Sequence, residues 1–343
     1  MHQTTEDTYW EQGFLNGIDI FSKDEINECQ KHFDKLEARV GRETCQVGLI
    51  NSHFQKQFVW EMVTNSKLLD LMQTLMGEDL MLLGSHFFCK YPVESTEHFV
   101  AWHQDVTYWG LKPPEAHTAW IAVDDSDLEN GCMRVIPGSH KMGLSPHSKS
   151  ETDGNLLSIN QEIPQDQIKE ENAQDLCLKA GQVSVHEGLL VHSSSPNRST
   201  RRRCGLTVRF VKPEIRQSEL NSHQAHWSPV LLRGQDTFRH FPEKTHSQTN
   251  AEYNDLIRMT HSNMANNQWP VTLIDIEATW ESYLEKNPIV SLGDLLLPDG
   301  VHLSISGHNV YKKNIIPLIL SKVKISEESN TPITELRDHE GER

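Results

Sequence analysis

Residues 181–213 read GQVSVHEGLLVHSSSPNRSTRRRCGLTVRFVKP, apolar or alternating runs split by a segment of Ser, Pro, Asn and Arg. Runs this short, ended by turn formers, are the pattern of strands joined without helices. The same texture extends from Leu80 to about Ala225, in LMLLGSHFFCKY (80–91) and AHTAWIAVDD (116–125) among others. Many short strands with no helices between them make a sandwich or a barrel, so a mainly β domain is expected.

The flanks differ. From Ser22 to about Val40, Ile26, Phe33, Leu36 and Val40 fall at helical spacings, and Ser22 followed by Glu25 is a capping box. A second helix is expected over Ser66–Met76, with Leu68, Leu69, Met72, Leu75 and Met76 on a broad face and Gly77 as its stop. Glu151–Asp175 is polar and contains Pro164, and reads as a loop or lid. After His246 a helical pattern returns, followed by a strand-like VTLIDI and a last helix from Gly307 to about Val323. Three parts are therefore expected: 1–245, an appendage over 246–325 and a disordered tail over 326–343.

The composition, 36% hydrophobic and 23% charged, is that of a globular chain. A formal net charge of -16 repels phosphate backbones and anionic membranes, and Arg201-Arg202-Arg203 is the only dense basic run, so no nucleic-acid partner is expected. The six cysteines include no Cys-x-x-Cys pair, and no stretch reaches the roughly 20 apolar residues of a membrane span. With no basic and apolar leader and no terminal Ser-Lys-Leu, the expected location is cytoplasmic.

With 19 histidines in the chain, about one His-x-Asp is expected by chance, and two occur. His32-Phe33-Asp34 lies on the first helix, where i and i+2 point about 200° apart and cannot share an ion. His103-Gln104-Asp105 lies in a strand context, where i and i+2 share a face and can chelate. Two imidazoles and a carboxylate on one octahedral face suit Fe(II) and leave room for a bidentate oxoacid and O2. His192, at the end of an apolar run, can supply the second imidazole. Eleven residues later Arg203 offers a planar fork for a carboxylate. Arg201 and Arg202 read as solvated charge, and His98, His117, His140 and His186 as loop or core residues.

AWHQDVTYWG (101–110), TAWIAVDDSDLENGCMRVIPGSHK (118–141) and VHEGLLVHSSSPNRSTRRRCGLTVRF (185–210), in this order and spacing, resemble the phytanoyl-CoA dioxygenase family of Fe(II)- and 2-oxoglutarate-dependent oxygenases. The resemblance runs from about Trp10 to Phe241. It implies a double-stranded β-helix, or jelly roll, buttressed by N-terminal helices, with iron on His103, Asp105 and His192. It also implies 2-oxoglutarate on Arg203, assisted by Trp120 and Ser194. The retained Asp105 favours hydroxylation, since halogenating relatives carry a small residue there. LLRGQDTFRHF (231–241) is similar to a stretch of bacterial members, some of which act on organophosphonates. Gln104, Tyr108, Trp109 and Arg209 are the expected substrate wall, and an inward Arg209 would favour an anionic small molecule.

LGDLLLPDGVHLSISGHNVYKKNIIPLI (292–319) resembles the last block of SGNH-type hydrolases, with Asp299 and His302 at the positions of that family's acid and base. No Gly-Asp-Ser precedes it, so this α/β appendage is expected to lack the nucleophile a serine esterase needs. Besides the oxygenase, two readings remain at this stage: an esterase relying on Asp299 and His302, and a jelly-roll scaffold without turnover.

Overall fold

The computed structural model describes residues 4–93, 97–150, 152–157, 160–217 and 227–241. Asp299, His302 and the expected parts 246–325 and 326–343 lie outside the described residues.

Among the described residues, helices occupy the first part of the chain: α1 (Thr5–Gln12), α2 (Lys23–Val40), α3 (Arg42–Val47), α4 (Gln57–Val63) and α5 (Ser66–Met76). The larger sheet is built from β1 (Phe14–Asp19), β2 (Leu80–Lys90), β5 (His117–Ala122), β10 (Gln182–Glu187), β12 (Arg203–Val211) and β14 (Val230–Arg233). Its order is β1-β10-β5-β12-β2-β14, antiparallel throughout. The smaller sheet, from β3 (Val100–His103), β6 (Met133–Val135), β9 (Gln174–Leu176) and β11 (His192–Ser194), has the order β3-β11-β6-β9. Two ribbons complete the set: β4 (Leu111–Lys112) with β13 (Arg216–Gln217), and β7 (Ser148–Lys149) with β8 (Gln161–Glu162). Two antiparallel sheets whose sequential neighbours are not spatial neighbours make the jelly roll.

The helices form where the sequence caps them. Ser22 Oγ accepts from the Glu25 amide and the Glu25 carboxylate accepts from the Ser22 amide, so α2 starts with both donors satisfied. Its buried stripe is Ile26, Cys29, Phe33 and Leu36. The α5 stripe of Leu68, Leu69, Met72, Leu75 and Met76 ends at Gly77, whose φ of 96° suits a residue without a Cβ. Ile26, Cys29 and Phe33 of α2 and the whole α5 stripe join one core with Leu82, Phe87, Ile121, Val183, Val185, Leu206, Val208 and Phe210 of the larger sheet. Each large apolar side chain buried this way contributes about 1.5–3 kcal/mol.

Because strand residues alternate, the positions between these core residues face the other way. One row across the sheet is His186, Thr118, Arg209 and Gly84, and the next is Ser184, Trp120, Thr207 and His86. At the far end of β12, Arg203 pairs with Lys90. This inner face carries polar and charged groups where the outer face carries core.

The described residues within 151–175 pack onto β3. The Ile163 amide donates to the Trp102 carbonyl, the Ala101 amide donates to Asn155 Oδ1, and Ile163 packs with Trp102 and Val191. Ile163 and Asn155 thus tie the segment to β3.

Candidate metal centre and active site

His103 and His192 are paired residues on the adjacent strands β3 and β11, with ring centroids 4.1 Å apart. β3 ends at His103, and Asp105 opens a 3-10 turn rather than continuing the strand. Gln104 between them is extended (φ -120°, ψ 133°), so the two-residue alternation survives and Asp105 returns to the side of His103. One donor atom from each of His103, Asp105 and His192 lies within 4.8 Å of the others.

Hydrogen bonds aim these donors. His103 Nδ1 lies 2.9 Å from the Ala101 carbonyl and 3.1 Å from the His192 carbonyl, and His192 Nδ1 lies 2.9 Å from the Leu190 carbonyl. A carbonyl only accepts, so Nδ1 carries the proton in both rings and both Nε2 lone pairs are free. They point toward Asp105 Oδ1, at 3.7 and 3.9 Å. Burial, then the neighbouring His103 and His186, hold His192 well below the ordinary histidine range, which keeps it the neutral imidazole a metal binds.

The other carboxylate oxygen is fixed from the sheet. Asp105 Oδ2 accepts from Thr118 Oγ1 at 2.9 Å and lies 3.3 Å from His186 Nε2. Burial alone would raise the Asp105 carboxyl, but the imidazoles of His103, His186 and His192 outweigh it and hold the group well below the usual carboxylate range. A nearly buried carboxylate held ionised beside two imidazole nitrogens is the donor set that Fe(II) takes.

At one end of the inner face, Arg203 is 3% exposed, donates from Nη1 to the Gly131 carbonyl at 2.8 Å, and lies over the Trp120 ring at 4.8 Å. Its Nε is buried with no partner. Trp120 reaches across β12 because position 205 is glycine, where a Cβ would stand 2.0 Å from the indole. Ser194 is buried, and its Oγ accepts from Lys90 Nζ at 2.6 Å.

At the other end, the Arg209 guanidinium lies 5.0 Å from the Trp109 ring centre, and its Nε is also buried and unpartnered. Trp227 closes this side, 5.5 Å from Trp109 and donating from Nε1 to the Trp109 carbonyl at 3.0 Å. His86 is a neighbour held neutral: burial, then the charge of Arg209, bring it down to about 4. Among the described residues no carboxylate pairs with Arg203 or Arg209, and an unpaired buried cation is costly unless an anion arrives.

The profile of the family described as "Phytanoyl-CoA dioxygenase (PhyH)" matches residues 9–205. This chain belongs to the phytanoyl-CoA dioxygenase family. Family members are non-haem oxygenases dependent on Fe(II) and 2-oxoglutarate, and the residues above fit both groups. A Dictyostelium discoideum protein described as a phytanoyl-CoA dioxygenase domain-containing protein 1 homolog is 36% identical over 32% of this chain and 40% of its own length. A probable alpha-ketoglutarate-dependent hypophosphite dioxygenase from Stutzerimonas stutzeri is 28% identical over 47% of this chain and 55% of its own length. These matches span about half the length of the relatives. Among solved structures, the non-heme monooxygenase ThoJ covers 77% of this chain and 97% of its own, with 26% identity and a TM-score of 0.58. The epimerase SnoN, solved with Fe3+ and alpha ketoglutarate, shares the fold at 19% identity and a TM-score of 0.51. The family fold and the N-terminal helices expected from the resemblance are therefore present. Among the described residues no helix is long and apolar enough to cross a membrane.

Of the expected substrate wall, Gln104 is a correction. Fully buried, it donates from Nε2 to the carbonyls of Gly143 and Leu189 at 2.8 and 2.7 Å and accepts from the Ser145 amide at 2.7 Å. The alternation that brings His103 and Asp105 together turns Gln104 away from them. Tyr108 lies edge-on to His147 at 6.2 Å, while Trp109 and Arg209 stack on each other. The sequence reading missed His186, Thr118 and Lys90. Nothing local in the chain distinguishes His186 from a loop or core histidine, because its partner Asp105 lies 81 positions away.

Proposed function

We propose that this chain is an Fe(II)- and 2-oxoglutarate-dependent dioxygenase that hydroxylates a small anionic organic substrate, such as an organophosphonate, with release of succinate and CO2. The observation that carries this reading is the pair of unpaired arginines on one face of β12, Arg203 and Arg209, with Asp105 bonded to Thr118, the residue paired with Arg209.

In this reading His103, His192 and Asp105 would hold the iron, while Thr118 and His186 fix the second carboxylate oxygen of Asp105. Arg203 takes the distal carboxylate of 2-oxoglutarate as a charge-assisted pair, and Trp120 covers its guanidinium from one side. Bound iron and co-substrate supply the oxygen activation, coupling oxidative decarboxylation to insertion of oxygen into a substrate C–H bond. Arg209, braced by Trp109, takes the substrate anion and so sets which C–H bond is presented. Charge balance supports this assignment: Arg203, Arg209 and a divalent ion, set against Asp105 and a dianionic oxoacid, still leave positive charge for an anionic substrate to neutralise. Hypophosphite, named for one relative, is such an anion.

The test is an anaerobic titration of the protein with Fe(II) and 2-oxoglutarate, following the visible charge-transfer band of a chelated oxoacid, then a succinate assay over paired anionic and neutral substrates. The expected result is a band that Asp105→Ala removes, and succinate release stimulated by anions carrying a C–H bond. A folded protein with no band would overturn the oxygenase reading, and equal stimulation by neutral analogues would overturn the anionic one.

A further inference from the structure

Lys90 is the last residue of β2, the direct partner of Arg203, and its side chain is wholly buried. Two cations side by side in the interior need either acids or a ligand, and among the described residues no acid bonds either one. Nζ instead bonds three oxygens: the Ser194 carbonyl at 3.1 Å, Ser194 Oγ at 2.6 Å and the Ser195 carbonyl at 2.7 Å.

The kinds of oxygen matter. Two are carbonyls, which only accept, and the third is a hydroxyl, which can accept or donate. A charged amine donates three protons to the three oxygens, and the Ser194 hydroxyl hydrogen is then free for a fourth group. A neutral amine donates two protons to the carbonyls and takes the hydroxyl hydrogen on its own lone pair. The direction of the Ser194 hydroxyl is therefore tied to the charge of Lys90. The Lys90 backbone is fixed as well, since its carbonyl accepts from Asn197 Nδ2 at 3.0 Å.

We propose that Lys90 is a positioning residue for 2-oxoglutarate: when charged, it turns the Ser194 hydroxyl hydrogen toward the distal carboxylate and adds a second buried positive charge beside Arg203, so that a proton is taken up as the co-substrate binds. This rests on the reading that Arg203 receives that carboxylate. Without an anion, burial and then the charge of Arg203 hold the amine well below the ordinary lysine range, with the Cys132 thiol acting in the opposite direction. A dianion beside Arg203 reverses the balance, so affinity for 2-oxoglutarate falls as pH rises above the value at which the free amine loses its proton.

Calorimetry of 2-oxoglutarate binding to the anaerobic Fe(II) protein, in buffers of different ionisation enthalpy, counts the protons without any variant. Uptake of up to one proton is expected. Lys90→Met is expected to bind 2-oxoglutarate roughly tenfold or more weakly, with no proton taken up and a flattened pH dependence. Ser194→Ala is expected to weaken binding less, and to add little when combined with Lys90→Met, because the hydroxyl acts through the lysine. Wild-type binding with no proton uptake would overturn the proposal, as would a Lys90→Met protein that binds within twofold of wild type. Arg203→Met separates the two levels: if it leaves 2-oxoglutarate binding unchanged, the assignment of Arg203 fails, whereas a loss there beside an unchanged Lys90→Met fails only the role of Lys90.

Discussion

Arg203 and Arg209 leave the same face of one strand, and each lies over a tryptophan, yet the two ends of β12 are built differently. Arg203 is enclosed: Gly131 accepts from it, Trp120 covers it through the gap at Gly205, and Lys90 stands beside it. Arg209 is braced on one face by Trp109, and part of its side chain stays open. A rigid, fully enclosed cation suits a ligand that never changes, and a half-open one suits a ligand that other residues select. In the proposed reading this difference separates a co-substrate end from a substrate end, with the triad between them.

The largest expected break comes at the enclosed end. Arg203→Met is expected to weaken 2-oxoglutarate binding by roughly 100-fold, since a buried charged pair is lost, while leaving the affinity for the substrate anion within a few-fold. Titration of the charge-transfer band checks the first number and substrate protection of the thermal midpoint the second. Equal losses at both ends would merge them into one site.

Gly205→Ala attacks the same end through packing. Its Cβ would stand 2.0 Å from the Trp120 ring, so the indole must leave its place over Arg203. Overpacking of this kind costs about 1–3 kcal/mol, and a lower thermal midpoint together with weaker 2-oxoglutarate binding is expected. A variant as stable and as tight as wild type would show that Trp120 has room to move.

At the open end, Arg209→Met is expected to raise the substrate KM by roughly tenfold and to leave the 2-oxoglutarate affinity within twofold. Steady-state succinate release against both concentrations separates the two constants. A change in the 2-oxoglutarate constant alone would assign Arg209 to the co-substrate.

The smallest effect sharpens the electrostatics around the row that starts at His186. Glu187, buried on the opposite side of β10, is pushed up to about 7 by burial, against a bond from the Leu189 amide. The unfolded chain gives up this proton near the ordinary value of 4.5, so folding retains a proton that the unfolded state has lost. The linked stability is present below that value and is lost as pH rises to about 7. Thermal midpoints from pH 5 to 8 should therefore show Glu187→Gln gaining on wild type as pH rises, with no further gain above about 7.

The sequence shows the triad and its arginine because their order survives in one dimension. His103 and Asp105 are two residues apart, and His192 and Arg203 bracket a single loop. The strands could be read for the same reason, since β10 and β12 alternate in sequence and β2 and β5 lie in short, mostly apolar runs. What could not be read depends on strand pairing. Thr118 meets Asp105 only because β5 lies between β10 and β12, and Lys90 meets Arg203 only because β2 flanks β12. Gln104 fails differently: the alternation that placed its two neighbours together already excluded it. In the mostly polar stretch over 151–175 the apolar residues show no strand or helix period, yet Ile163 is buried against Trp102 and Val191 with Ile168 and Ala173 packed beside it, a contact made by tertiary packing.

Gln104 has one more consequence. Its side-chain amide ties the backbone at Gly143 and Ser145 to Leu189, while its main chain joins His103 to Asp105. Met142 and Leu144, beside those tied positions, stand exposed at 77% and 50%. Contact with this surface loop is thereby connected mechanically, through Gln104, to the backbone between His103 and Asp105.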